Sequence, residues 1–203
     1  MREKVFCFIP GILNNPADEH AFTDEGVRWV KKYTPYQAIK CEYFSGVIFR
    51  RLWQAARVRK LHADLLPWVK RGAAISLVGH SNGCDIIARH LKQFWIALDE
   101  VHLVAGACER DCELNGINRA MECGRLERAS VYCSERDGAL KLARNTGAVL
   151  KFFGLGYGTL GLEGPEHVEF PERVRIINRP RGHREWFGRE HFDETMRLIV
   201  RAA

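Results

Sequence analysis

Six apolar runs recur along this chain, and after nearly every one the apolar spacing turns helical. KVFCFIP (4–10) precedes a helical pattern near 24–33, QAIKCEYF (37–44) an amphipathic stretch at 47–71, and AISLVG (74–79) a helix at 82–97. VHLVAGA (101–107) runs into a loop, ASVYCS (129–134) into a short helix at 138–145, and RVRIIN (173–178) into a final helix at 189–201. Strands that are apolar throughout must be covered on both faces, and parallel neighbours need a crossover long enough to hold a helix. The pattern predicts an α/β fold, a mostly parallel sheet with helices on both faces. The glycine-rich FFGLGYGTLGLEGPEH (152–167) has neither period, and a strand and a helix still follow it. It reads as an irregular excursion inside the fold. With 203 residues and no internal repeat, 1–203 is expected to be a single domain.

Several classes of protein are excluded early. No apolar run approaches the roughly 20 residues that span a bilayer. The opening MREKVFCFIPGI lacks the long apolar region and small-residue cleavage site of a secretory signal, so it reads as a buried first strand. The seven cysteines are odd in number and sit mostly in apolar segments such as VFCFI and SVYCS. Cys108, Cys112 and Cys123 have no second pair or nearby histidine to complete a zinc site. Buried free thiols in a reducing cytoplasm are expected.

The stretch SLVGHSNGCDII (76–87) joins a strand to a helix through Gly79-His80-Ser81-Asn82-Gly83, which matches G-x-S-x-G. In such an elbow a strained turn holds the serine hydroxyl out at the top of a sheet. The glycines allow strand and helix to cross closely, and the helix N-terminus favours a developing negative charge.

With the elbow between strand and helix, the chain resembles the α/β-hydrolase superfamily, and the resemblance runs from the first strand to the last helix. It implies a serine nucleophile, an acid and a base in the chain order Ser, Asp or Glu, His. VYCSERDGALKLA offers Glu135 and Asp137, and it resembles the strand–polar–Asp-x-Ala-Leu stretch of bacterial α/β hydrolases of unknown function. On that likeness Asp137 is the acid, with Asp111 or Glu109 in AGACERDC as the rival. The base would be His183, which follows the last strand in a G-H-x-x-x-F run. His191 fits the start of the final helix better, and His167 lies before the last strand. The oxyanion donors would be the amide of Asn82 and that of Ile12, with Leu13 second, in the loop PGILNN. Proline at position 10 replaces the usual histidine of that loop. Because the first strand leads straight into this loop, the two N-terminal strands of a full-size hydrolase are expected to be absent. A reduced core of about six strands is expected.

The implied activity is hydrolysis of an ester or thioester, on a small-molecule or lipid-like substrate, through an acyl-enzyme on Ser81. No metal or organic cofactor is implied. A silent scaffold that binds a partner, or an acyltransferase or thioesterase sharing the acyl-enzyme, are the alternatives. Charge adds one further clue. Residues 47–72 hold seven Arg or Lys and one Asp, and the difference of six equals the chain's formal +6. A helix with a solvated basic face accounts for this, as does a lid or docking surface for an anionic membrane through Arg50, Arg51, Arg57, Arg59 and Lys60. Exposed Phe49 or Trp53 would favour the membrane. No nucleic-acid motif is present.

Overall fold

The first apolar run forms strand β1 (Lys4–Ile9), and the second, after helix α1 (Phe22–Tyr33), forms β2 (Gln37–Lys40). Helix α2 (Arg50–Lys70) leads to β3 (Ala74–His80), α3 (Asn82–Gln93) and β4 (Leu98–Val104). Helix α4 (Ile117–Glu122), β5 (Leu126–Cys133), α5 (Gly138–Phe152) and the short α6 (Leu160–Glu163) follow, and β6 (Val174–Asn178) and α7 (Phe192–Arg201) complete the chain. The computed structural model describes residues 2–11, 21–42, 50–152 and 158–201.

All six strands lie in one parallel sheet, ordered β2-β1-β3-β4-β5-β6. Alternate residues of each strand enter two different cores. On one face Val5, Cys7, Leu77, Leu103 and Val131 pack beneath Leu61 and Leu65 of α2, Ile86 and Ile87 of α3, and Met121 of α4. On the other, Phe6, Phe8, Val78, Val104 and Tyr132 meet Phe22 and Val30 of α1 and Met196 and Ile199 of α7. Covering both faces is what lets a strand such as β1 be apolar at nearly every position.

Several boundaries differ from the sequence reading: the helix expected at 138–145 runs on to Phe152, and the final helix expected from 189 begins at Phe192. The helix expected over 82–97 ends at Gln93, because Phe94 turns extended (φ −123°, ψ 142°) and its amide caps onto the His90 carbonyl. Helix α4 occupies part of what reads as loop. Its six residues begin after Gly116 in the left-handed region (φ 85°), too short a span for a period to emerge.

The second face also buries polar groups. Ser130 Oγ donates to Glu100 Oε1 (2.8 Å), His102 Nδ1 lies 3.2 Å from the Tyr132 hydroxyl, and His102 Nε2 is 3.5 Å from Glu100 Oε2. Under α2, the His90 ring is buried beside His62 and Phe94, and neither of its nitrogens has a hydrogen-bond partner among the described residues. Burial pushes the pKa of both His90 and His102 down to about 3.

The seven cysteines are free, and all but Cys123 are buried. Among the described residues, no cluster of three His, Cys, Asp or Glu side chains could hold a metal, and no helix is long and apolar enough to cross a membrane. Of the basic residues singled out on α2, Arg57 is buried, while Arg59 and Lys60 are exposed and Lys60 pairs with Asp64 at 3.0 Å. Phe49 and the side chains of Arg50, Arg51 and Trp53 lie outside the described residues.

Candidate active site

Ser81 sits at the carboxyl edge of the sheet, between the end of β3 and the first turn of α3. Its backbone is at φ 53°, ψ −118°, which a residue with a side chain adopts only when the surroundings enforce it. Three hydrogen bonds do so here. The Ser81 amide donates to Val104 (3.0 Å), and the Ser81 carbonyl accepts from Cys84 and Ala107 (3.1 Å each). The flanking glycines permit the crossing. A Cβ on Gly79 would lie 2.8 Å from Ile87 Cδ1, and one on Gly83 only 2.3 Å from the Ile9 carbonyl oxygen. The latter clash is with backbone that cannot swing aside. Gly83→Ala should therefore destabilise the protein by about 3 kcal/mol or more, read as a lower urea midpoint. An unchanged midpoint would show that β1 and α3 can separate at no cost.

Asn82 is the first residue of α3 and fully buried, so its amide is one of the free donors at the helix start. Gly11 brings the loop after β1 alongside, since a Cβ there would stand 3.0 Å from Ser81 Cβ. Ile12 and Leu13, the expected second oxyanion donors, lie outside the described residues.

Asp137 follows β5 and is completely buried. Its Oδ1 accepts the Leu140 amide at 2.9 Å, capping the start of α5, and its Oδ2 lies 2.7 Å from His183 Nδ1. A carboxylate can only accept, so Nδ1 carries the proton, which in a neutral imidazole leaves Nε2 with its lone pair. Glu135 is exposed. Asp111 is committed elsewhere, to the Glu113 amide (2.9 Å) and to His167 Nδ1 (3.1 Å). His191 lies just before α7, and its carbonyl accepts the Thr195 amide.

The loop carrying His183 is anchored at several points that the sequence does not advertise. Ser134 Oγ accepts two backbone amides, from Arg136 (3.1 Å) and from Arg181 (3.0 Å), and so ties the loop of Asp137 to the loop of His183. The buried Arg181 donates to Thr195 Oγ1 (2.9 Å) and pairs with Glu194, and Thr195 Oγ1 donates to the Trp186 carbonyl (2.6 Å). His80, the residue before Ser81, lies with Nε2 2.9 Å from the His183 carbonyl oxygen. Among the described residues no hydrogen bond joins the Ser81 hydroxyl to His183. The two residues are neighbours through His80, whose ring centroid is 5.1 Å from that of His183.

The arrangement of sheet, elbow and histidine loop is that of the α/β-hydrolase fold. Solved structures agree on the fold. A proposed hydrolase of the α/β superfamily from Xanthomonas campestris pv. campestris superposes with a TM-score of 0.61 at 14% identity, over 98% of each chain. The alpha/beta hydrolase domain-containing protein 10 from mouse gives 0.60 at 12% identity, over 100% of this chain and 91% of that one. Esterase PE8 gives 0.57 at 12% identity, over 100% and 94%. No family model and no curated protein matches the sequence.

Proposed function

We propose that this protein is a serine hydrolase of carboxylic esters or thioesters. The observation that carries this reading is the His183–Asp137 pair, 2.7 Å apart, on a loop fastened to the residue next to Ser81. In the proposed cycle Ser81 Oγ attacks the acyl carbonyl carbon while His183 Nε2 takes the hydroxyl proton. The carbonyl oxygen becomes an oxyanion facing the amide of Asn82. As the tetrahedral intermediate collapses, the bond to the leaving oxygen or sulfur breaks and His183 returns the proton to it. Water, activated by the same imidazole, then releases the acid and restores Ser81. Asp137 holds the Nδ1–H tautomer and offsets the imidazolium charge. The hydrolases and the esterase among the structural neighbours support this choice of chemistry. A fluorophosphonate probe should label the protein, and Ser81→Ala should abolish the label. An unlabelled wild type would leave a scaffold that binds without turnover.

We also infer a cytoplasmic setting, which fits six buried free thiols, and a weak affinity of α2 for anionic membrane surfaces. Arg59 and Lys60 are exposed there. At about 1 kcal/mol for each, the pair should improve binding to phosphatidylserine vesicles roughly 30-fold at low salt. Co-sedimentation of wild type against a double Glu variant measures this. Equal binding of the two would reduce α2 to a solvated cover for the sheet.

A further inference from the structure

His80 occupies a place in the elbow motif where the motif itself asks only for any residue. Its surroundings are specific. The ring packs edge-on to Phe22 and Phe187, each at a centroid distance of 5.5 Å, and it lies 5.1 Å from the His183 ring. Those contacts alone describe an aromatic that fills space, a role a phenyl ring would serve as well. The hydrogen bond does not fit that role, since Nε2 lies 2.9 Å from the backbone carbonyl of His183. A carbonyl only accepts, so Nε2 must carry the proton, and in a neutral ring Nδ1 is then bare. Nδ1 faces Gly11, where a Cβ would stand 3.6 Å away.

We propose that His80 is a positioning residue, whose Nε2–H ties the backbone of the general base His183 to the nucleophile elbow. This rests on the serine-hydrolase reading of the site. The geometry gives the bond its leverage. His80 is covalently joined to Ser81, so the same peptide that sets the hydroxyl also holds the base. Because the hydroxyl and the His183 ring are not themselves hydrogen-bonded here, this tether and the Asp137 contact fix the imidazole before substrate arrives. Burial, with His183 second, holds the His80 pKa down to about 4, so the donor stays in its neutral form at physiological pH.

The test compares His80→Phe, which keeps a ring and loses the donor, with His80→Gln, whose amide nitrogen can reach the same carbonyl. On a short-chain nitrophenyl ester, His80→Phe should lower kcat about 100-fold with KM within about twofold, the cost of a base displaced by about 1 Å. His80→Gln should restore most of that loss. The rate of fluorophosphonate labelling should follow kcat, and the low-field proton resonance of the His183 Nδ1–H should broaden or shift in His80→Phe but not in His80→Gln. If the phenyl ring prevents folding, His80→Met against His80→Gln gives a second pair, similar in length and differing in the donor. Variants without the donor that keep full kcat while folded would overturn the proposal, as would a His80→Gln enzyme as slow as His80→Phe. A wild type that neither turns over nor labels would instead overturn the hydrolase reading, and that result precedes any His80 variant.

Discussion

Ser81→Ala and His183→Ala should each lower turnover of a short-chain nitrophenyl ester by roughly four or more orders of magnitude. Ser81→Ala should leave the melting temperature nearly unchanged, since alanine shares the backbone strain there, whereas His183→Ala should also lower it by leaving the buried Asp137 Oδ2 without its partner. Asp137 needs more care. Its Oδ1 caps α5 while its Oδ2 meets His183, so alanine would remove a helix cap together with the partner of the imidazole. Asparagine caps a helix about as well as aspartate, but it cannot favour the imidazolium or hold the correct tautomer. Asp137→Asn should therefore cost about three to four orders of magnitude in kcat while the melt is retained. Full activity in the Ser81→Ala variant would place the nucleophile elsewhere and end the proposed mechanism.

Acid should unfold this protein steeply, through histidines that take no part in the chemistry. His90 and His102 are buried, and both titrate at about 3 in the folded chain against about 6.5 when unfolded. Their folded pKa is the lower one, so the unfolded state binds more protons between those limits. The stability they contribute is complete above about pH 6.5 and falls as pH drops towards 3. Each group contributes a slope of about 1.4 kcal/mol per pH unit, so the two together lose on the order of 7 kcal/mol between pH 6.5 and pH 4. That is comparable with the whole stability of an ordinary domain. Urea titrations at pH 7 and pH 4.5 would show it, and His90→Leu should flatten the dependence by about one proton. A stability unchanged between those pH values would mean that water or a rearranged partner reaches these rings.

The architecture was legible in the sequence because the strands carry continuous apolar runs. VFCFI and SVYCS cannot face water on either side, and that alone demands helices on both faces. Helix α4 was not legible, since a six-residue helix shows less than two turns of pattern. The site divides in the same way. Ser81 announces itself through the glycines that strand and helix need in order to cross. Asp137 and His183, chosen by likeness to other hydrolase loops, are brought together as a bonded pair, while Asp111 is occupied by His167. The supports of the site left no signal. Ser134 is one serine among several, and its two amide partners include Arg181, which lies 47 residues further along. Arg181 is buried against Thr195, and a contact between distant segments has no period to betray it.

Strand β6 stands at the edge of the sheet with β5 as its one neighbour, and His183 lies just beyond it. The three residues of the site thus hang from three different strands, and the last of these is also last in the chain. During synthesis Ser81 and Asp137 leave the ribosome well before the residue that would make the serine reactive. On the proposed mechanism, a nascent or half-folded chain would have an elbow without a base and would not attack the acyl groups around it. In a sheet built from long-range parallel pairings, which close slowly, that interval is not short. If the proposed chemistry holds, reactivity is thereby reserved for molecules that have finished folding.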